Sequence, residues 1–215
     1  MNSKDIFNYL EIIEFQISKH KDEIEKLDQE IGDGDHIFNV LRGLKEANSL
    51  KEKNINEPVD KVFKQIGMKI MTTVGGSSGA LFATLIIGMS KKYDNSLENL
   101  ENISNMFSEG VEAMKIRGKS NVGEKTMLDV LIPVAIKLKE IKNEKKMNLV
   151  AEKIKKVAQE GMLSTKEMIA TKGRASFLGE RAKGHIDPGA RSSQLAIEAI
   201  CNELIKLEEN LWKNL

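Results

Sequence analysis

One cysteine, Cys201, stands in a chain of 215 residues. A single thiol closes no internal disulfide and makes no metal framework, so a reducing compartment is expected and Cys201 reads as a small core residue on a helix. Proline occurs three times and aromatic residues make up 5% of the chain. Few prolines leave long helices unbroken, and the scarcity of aromatics speaks against a sheet-rich fold, since strands favour aromatic and β-branched side chains. The longest apolar run, Ala80 to Met89, is broken by Thr84 and Gly88 and falls far short of the ~20 residues a membrane-crossing helix needs. Met1 to Phe15 mixes Lys4, Asp5 and Glu11 into its apolar residues, so the h-region of a signal peptide is missing. Charge of one sign is not in excess either: 33 Lys and Arg face 32 Asp and Glu, which removes nucleic acid and an anionic membrane as obvious partners. A soluble cytoplasmic protein is the expectation.

Lys, Glu, Ile, Leu, Ala and Met fill the chain instead. These are helix formers, and an all-α protein follows. The length suits one domain spanning 1–215. Ile6, Leu10, Ile13, Ile17, Ile24, Leu27 and Ile31 recur at helical spacing, predicting one long amphipathic helix that ends at Gly32. Ile197, Ile200, Leu204, Leu207 and Leu211 predict another, and shorter periods occupy 36 to 52, 58 to 71, 78 to 92, 96 to 116, 124 to 142 and 147 to 171. About eight helices result, joined by short breaks that favour antiparallel neighbours. Pro58 suits a helix start, whereas Pro133 should kink its helix. The stretch from Gly173 to Gly189 is too long for a mere connection and reads as a functional loop.

Four segments carry candidate chemistry. Asp28, Asp33 and Asp35 straddle a helix end, where Gly32 and Gly34 let the chain fold back and the three carboxylates converge. Packed anions need a cation between them, and hard oxygens select Mg²⁺ or Ca²⁺; Mg²⁺ keeps positions for water and phosphate. An EF-hand fails because Ile37 stands where a ligand is required. A polar turn with aspartate caps is the plainer reading of the same triplet. Thr72 to Ala80 is a Gly- and Ser-rich run entering an apolar helix, whose free N–H groups favour phosphate; it is neither a Walker A loop nor a Rossmann fingerprint. Gly75 as a C-cap followed by Ser77 as an N-cap explains it as well. In the third segment Arg174 offers a bidentate phosphate clamp, and Asp187-Pro188-Gly189 reads as a turn open to close ligand approach. Arg117 to Lys119 and Gly123 to Asp129 form the fourth.

Together these segments resemble the ADP-binding L subunit of phosphotransferase-system-dependent dihydroxyacetone kinase, which also occurs as the C-terminal nucleotide domain of ATP-dependent dihydroxyacetone kinases. The matching stretches are Ile31 to His36, Gly75 to Gly79, Gly123 to Met127 and Gly173 to Ser176 through Asp187 to Gly189, in the family's order and over nearly the whole chain. The resemblance implies a single-domain up-and-down barrel of eight antiparallel helices with nucleotide at one end. It implies two Mg²⁺ on Asp28, Asp33 and Asp35, with ADP or ATP surrounded by His36, Ile37, Phe38, Asn39, Ser77, Ser78, Gly118, Met127, Arg174, Asp187, Pro188 and Gly189. Lys125 and Thr126 are secondary candidates. At one position the chain departs from the family, which carries Gly where Ile37 stands; a bulkier residue beside the phosphates would point to a divergent pocket.

Phosphoryl transfer rests on positioning and charge neutralisation, which Asp28, Asp33, Asp35 and Arg174 are suited to supply. No pocket for a triose is evident. The resemblance implies a dihydroxyacetone-binding K subunit as one partner and a phosphohistidine protein of the phosphotransferase system, rephosphorylating ADP in place, as another. Homo-oligomerisation stays open. Rival readings are an ATP-exchanging subunit serving another hydroxyketone and a non-catalytic sensor of nucleotide state.

Overall fold

A computed structural model describes residues 1–213, with side chains as far as Asn210. Leu211, the last member of the C-terminal stripe, lies outside the described side chains. The elements are α1 (Ser3–Lys19), α2 (Lys21–Ile31), α3 (His36–Asn48), α4 (Lys51–Asn54), α5 (Val59–Thr73), α6 (Gly76–Ser90), α7 (Asn99–Gly118), α8 (Leu128–Glu140), α9 (Met147–Ser164) and α10 (Pro188–Lys213), with 3-10 segments at Thr165–Glu167 and Arg174–Ala182. No strand occurs among the described residues, so the all-α expectation holds.

Four boundaries differ from the periodicity. The long first helix divides at His20, whose φ of −106° and ψ of 17° leave the helical region; Ile17 and Ile24 on either side still enter one core cluster, so the apolar stripe runs through a break it cannot reveal. The 36 to 52 period likewise divides into α3 and the single turn α4. α8 begins at Leu128 rather than 124, and the 147 to 171 period stops at Ser164. Much of the stretch from Gly173 to Gly189 is 3-10 helix, bent at Gly179. Pro133 lies within α8, which continues to Glu140.

Sequence explains most of the starts. Asn2 and Asp5 form a reciprocal capping box on α1, at 2.8 and 3.0 Å. Pro58 precedes α5, and Asp187 followed by Pro188 opens α10, its carboxylate accepting the Ala190 N–H at 2.7 Å. Thus Asp187-Pro188-Gly189 is a helix start and not the turn that the sequence suggested.

Eight helices follow one another in contact as α1, α3, α5, α6, α7, α8, α9 and α10, and α10 returns to α1. α6 carries no charged residue and accordingly sits wedged between α5 and α7. Gly88 and Gly110 set that spacing: a Cβ on Gly88 would lie 2.8 Å from the Gly110 Cα. The α1, α3, α5 and α6 side of the core buries Phe7 completely, worth ~3 kcal/mol on its own. A second cluster joins α6 to α10 and contains Cys201, whose thiol burial pushes up to about 12. Between the clusters lies an apolar cavity of about 350 Å³ that reaches from Met1 and Tyr9 to Asn39, Ser78 and Ser192. No described helix is long and apolar enough to cross a membrane.

Candidate functional site

α2 ends where the Gly32 N–H closes on the Asp28 carbonyl at 2.6 Å. The Asp28 side chain folds under that end so tightly that a Cβ on Gly32 would lie 2.0 Å from its Oδ1. Its Oδ2 accepts the His36 N–H at 2.9 Å. Asp28, Asp33 and Asp35 thereby each bring one carboxylate oxygen within 4.8 Å of the others. Asp28 is buried and the other two are exposed. Burial raises the Asp28 pKa, backbone N–H groups of His36, Gly34 and Asp35 oppose the rise, and the Asp33 charge adds to it. An all-oxygen set with one buried and two open carboxylates fits a hard divalent ion that also serves an outside ligand.

His36 joins three helix starts. Its Nδ1 lies 3.1 Å from Ser78 Oγ in the first turn of α6, and its Nε2 lies 2.9 Å from Ser192 Oγ in the first turns of α10. Burial lowers its pKa to about 4. Neutral and engaged at both nitrogens, the ring positions the N-termini of α3, α6 and α10 and is no proton acceptor toward a ligand. At α6 the N-cap is Gly75 and the C-cap of the preceding helix is Val74, so Ser77 lies inside the first turn rather than at the cap. Ser77 is exposed there, among first-turn N–H groups that no carbonyl of their own helix can reach. Converging helix N-termini next to a cation site suit a polyphosphate.

The remaining candidates fall into three groups. Arg174, exposed on the 3-10 segment, holds Asp33 Oδ2 with its Nε at 2.9 Å. Met127 and Gly189 touch: a Cβ on Gly189 would lie 3.1 Å from the Met127 Cε. Gly118, at the end of α7, abuts Leu81 of α6, and Asn39 stands beside Gly76 and Asp35. Two candidates are corrected. The Ile37 side chain is fully buried with Ile17, Ile24 and Leu195, since it points to the core side of α3. Lys125 is buried as well, its ammonium turned to the carbonyls of Thr165 and His185. Phe38 is exposed beneath Lys21, 5.0 Å from its ring centroid.

Sequence reasoning did not single out Ser192, Gly76, or Asp129 as working residues. Asp129 accepts the Gly123 and Thr126 N–H groups at 2.5 and 2.7 Å and so shapes the loop before α8. The Thr126-to-Asp129 spacing signals such a cap; nothing local marks Ser192, which lies 156 positions from His36. Two further pairs fasten α2 to the C-terminal segment, His185 with Glu30 at 2.8 Å and Arg191 bidentate on Glu23 at 2.7 and 3.0 Å.

A ring of helices that gathers three N-termini, three carboxylates and a guanidinium at one place has the chemistry to receive a metal-complexed anion. The chain belongs to the DAK2 domain family, whose model matches residues 30–202. It is 41% identical over 189 residues to the ADP-binding subunit DhaL of PEP-dependent dihydroxyacetone kinase 1 from Listeria innocua, covering 86% of this chain and 88% of that one. Similarity to the corresponding DhaL subunit of Escherichia coli K12 is 34% over 203 residues, covering 93% and 96%. In fold it resembles the dihydroxyacetone kinase of Citrobacter freundii solved with AMP-PNP and Mg²⁺, with a TM-score of 0.70 at 24% identity; the match spans 92% of this chain and 33% of that longer one.

Proposed function

We propose that this chain is the nucleotide-carrying subunit of a dihydroxyacetone kinase. It holds ADP or ATP with two Mg²⁺ and passes the terminal phosphoryl group to dihydroxyacetone bound on a separate K subunit. A phosphohistidine protein of the phosphotransferase system then rephosphorylates the ADP in place. The convergence of Asp28, Asp33 and Asp35 beside the helix starts joined by His36 carries this reading, and the names of the similar subunits agree with it. The whole chain, 1–215, acts as one domain, its eight-helix ring following the up-and-down course of a barrel.

Asp28, Asp33 and Asp35 would hold the magnesium, which when bound neutralises phosphate charge. The first turn of α6, with Ser77 and Ser78, donates to phosphate oxygens. Arg174 stabilises charge on the group in transfer, and the exposed Arg174 and Asp33 leave that side open to an acceptor. Gly118, Met127 and Asp187 to Gly189 flank the nucleoside, with His36 to Asn39 beneath. In the transfer the terminal P–O bond to the ADP leaving group breaks as a bond to the ketone's hydroxyl oxygen forms, and that hydroxyl proton is released.

Purified protein dialysed exhaustively with Mg²⁺ and then denatured should release about one ADP per chain, and ATP-loaded protein mixed with the K subunit and dihydroxyacetone should lose its terminal phosphate in a single turnover. Rapid nucleotide exchange points to an ATP-consuming subunit instead. Phosphate left entirely on the nucleotide rules the transfer out and favours a sensor.

A further inference from the structure

Lys125 is a cation where the fold has little room for one. It is 1% exposed, and its backbone stands at a φ of 59°, a left-handed conformation that a residue with a side chain keeps only where its surroundings fix it. Its ammonium donates to the carbonyls of Thr165 and His185, and the charges of Asp187, Glu167 and Asp129 favour its protonated form against the burial that lowers its pKa. With two of its three donors on these carbonyls and the side chain buried, it is held inside the protein rather than presented to a nucleotide.

The two carbonyls belong to segments on either side of the Arg174–Ala182 3-10 stretch, both remote in sequence from Lys125. On one side, Asp129 gathers the Gly123 and Thr126 N–H groups and so shapes the wall that runs from Gly118 to Met127. On the other, the Asp187 N–H donates to Thr165 Oγ1 at 3.1 Å, the Gly184 N–H donates to the Lys166 carbonyl at 2.8 Å, and the Asp187 carboxylate caps α10. Met127 follows Lys125 by two residues and Gly189 follows Asp187 by two, and these are the residues in contact.

We propose that Lys125 is a positioning residue of the nucleotide site, locking the Gly118 to Met127 wall to the start of α10 through Thr165, His185 and Asp187, an inference that rests on the nucleotide reading above. The Asp187 carboxyl, pushed up to about 7 chiefly by burial, is opposed by Lys125 and by its bond to Ala190, while the charges of Asp129 and Asp28 push it further up. Removing the Lys125 charge therefore drives it higher still. Below that value Asp187 is neutral and its attraction to the Lys125 charge is lost; above it that attraction adds to the two carbonyl bonds.

Mg-ADP affinity of the full chain, measured by calorimetry across neutral pH, tests this. The wild type is expected to lose affinity as pH falls through the Asp187 value. Lys125→Met is expected to bind about tenfold more weakly above it and to show its loss at higher pH. Asp187→Asn, which keeps the cap because asparagine caps as well as aspartate, should lose this pH step, and adding Lys125→Met to it should cost less than it does in the wild type. Titration of the ADP phosphates is common to every variant and cancels. Wild-type affinity and pH profile in Lys125→Met overturn the proposal, and so does a loss equal at every pH, which marks a merely structural role. If Lys125→Met does not fold, a pH step retained in Asp187→Asn overturns it. A wild type that binds no Mg-ADP brings down the nucleotide reading itself, whereas the other adverse results leave that reading standing.

Discussion

Arg174 Nε stands 2.9 Å from Asp33 Oδ2, joining the 3-10 segment before α10 to the loop after α2. Both side chains are substantially exposed, at 72% and 41%, and an exposed pair of this kind contributes ~0–1 kcal/mol to stability. The pair is therefore cheap to exchange for contacts with a metal-bound phosphate. Asp33→Ala should weaken Mg-dependent ADP binding by more than ~100-fold, and Arg174→Ala by about 10- to 100-fold through one lost charge-assisted bond. Both should unfold within ~1 kcal/mol of the wild type. Unaltered ADP affinity in Asp33→Ala sinks the assigned metal site.

Gly32 offers a way to disturb the cluster without deleting a carboxylate. A Cβ there would sit 2.0 Å from Asp28 Oδ1 and 2.9 Å from the Asp28 carbonyl oxygen, so Gly32→Ala must displace the one buried member of the triad. Overpacking of this kind costs ~1–3 kcal/mol. Calorimetric titration with Mg-ADP should show a loss approaching that of Asp28→Ala; a variant that binds like wild type would mean Asp28 is not a ligand.

His36 makes stability depend on pH with a definite sign. Burial holds its folded pKa at about 4 against an ordinary 6.5. Between those values the unfolded chain binds the proton and the folded chain does not, so stability rises with pH. The contribution is complete above pH 6.5 and is lost as pH falls toward 4, amounting to ~3 kcal/mol. Asp187 acts oppositely, since its raised pKa makes the folded chain the better proton binder. Urea unfolding of His36→Gln over that range should show a shallower pH slope than wild type. An identical slope would show that the imidazole is not held neutral.

How much of this was legible beforehand depended on range in sequence. The stripe from Ile6 to Ile31 and the Pro58 start are local patterns, and helix class and helix starts follow from them. The division at His20 was hidden because Ile17 and Ile24 keep their spacing to the core through it. The three aspartates were readable because Gly32 and Gly34 sit between them. Ser192 was not, because its role comes from the ring of helices that carries α10 back to α3. Ile37 shows the reverse error: adjacency to a ligand loop suggested a side chain in the pocket, whereas helical rotation one residue beyond His36 turns it into the core.

The entry of α6 gives a paired test, because its two adjacent glycines face different constraints. Gly75 has an extended backbone at φ −77° and ψ −179°, and a Cβ there would meet no atom within 4 Å. Gly75→Ala should therefore leave both stability and ADP binding near wild type. Gly76 stands at φ 74°, where an alanine costs ~1–2 kcal/mol from backbone sterics alone. A Cβ there would also approach Asn39 Nδ2 at 3.2 Å and Asp35 Oδ2 at 3.7 Å. Relief of either strain rotates the first turn of α6, the turn that aims the N–H groups near Ser77 and Ser78. Gly76→Ala is expected to lose ADP affinity beyond what its stability loss explains, read by titration well below its melting temperature. Equal behaviour of the two variants would show that the α6 N-terminus does not hold the phosphates.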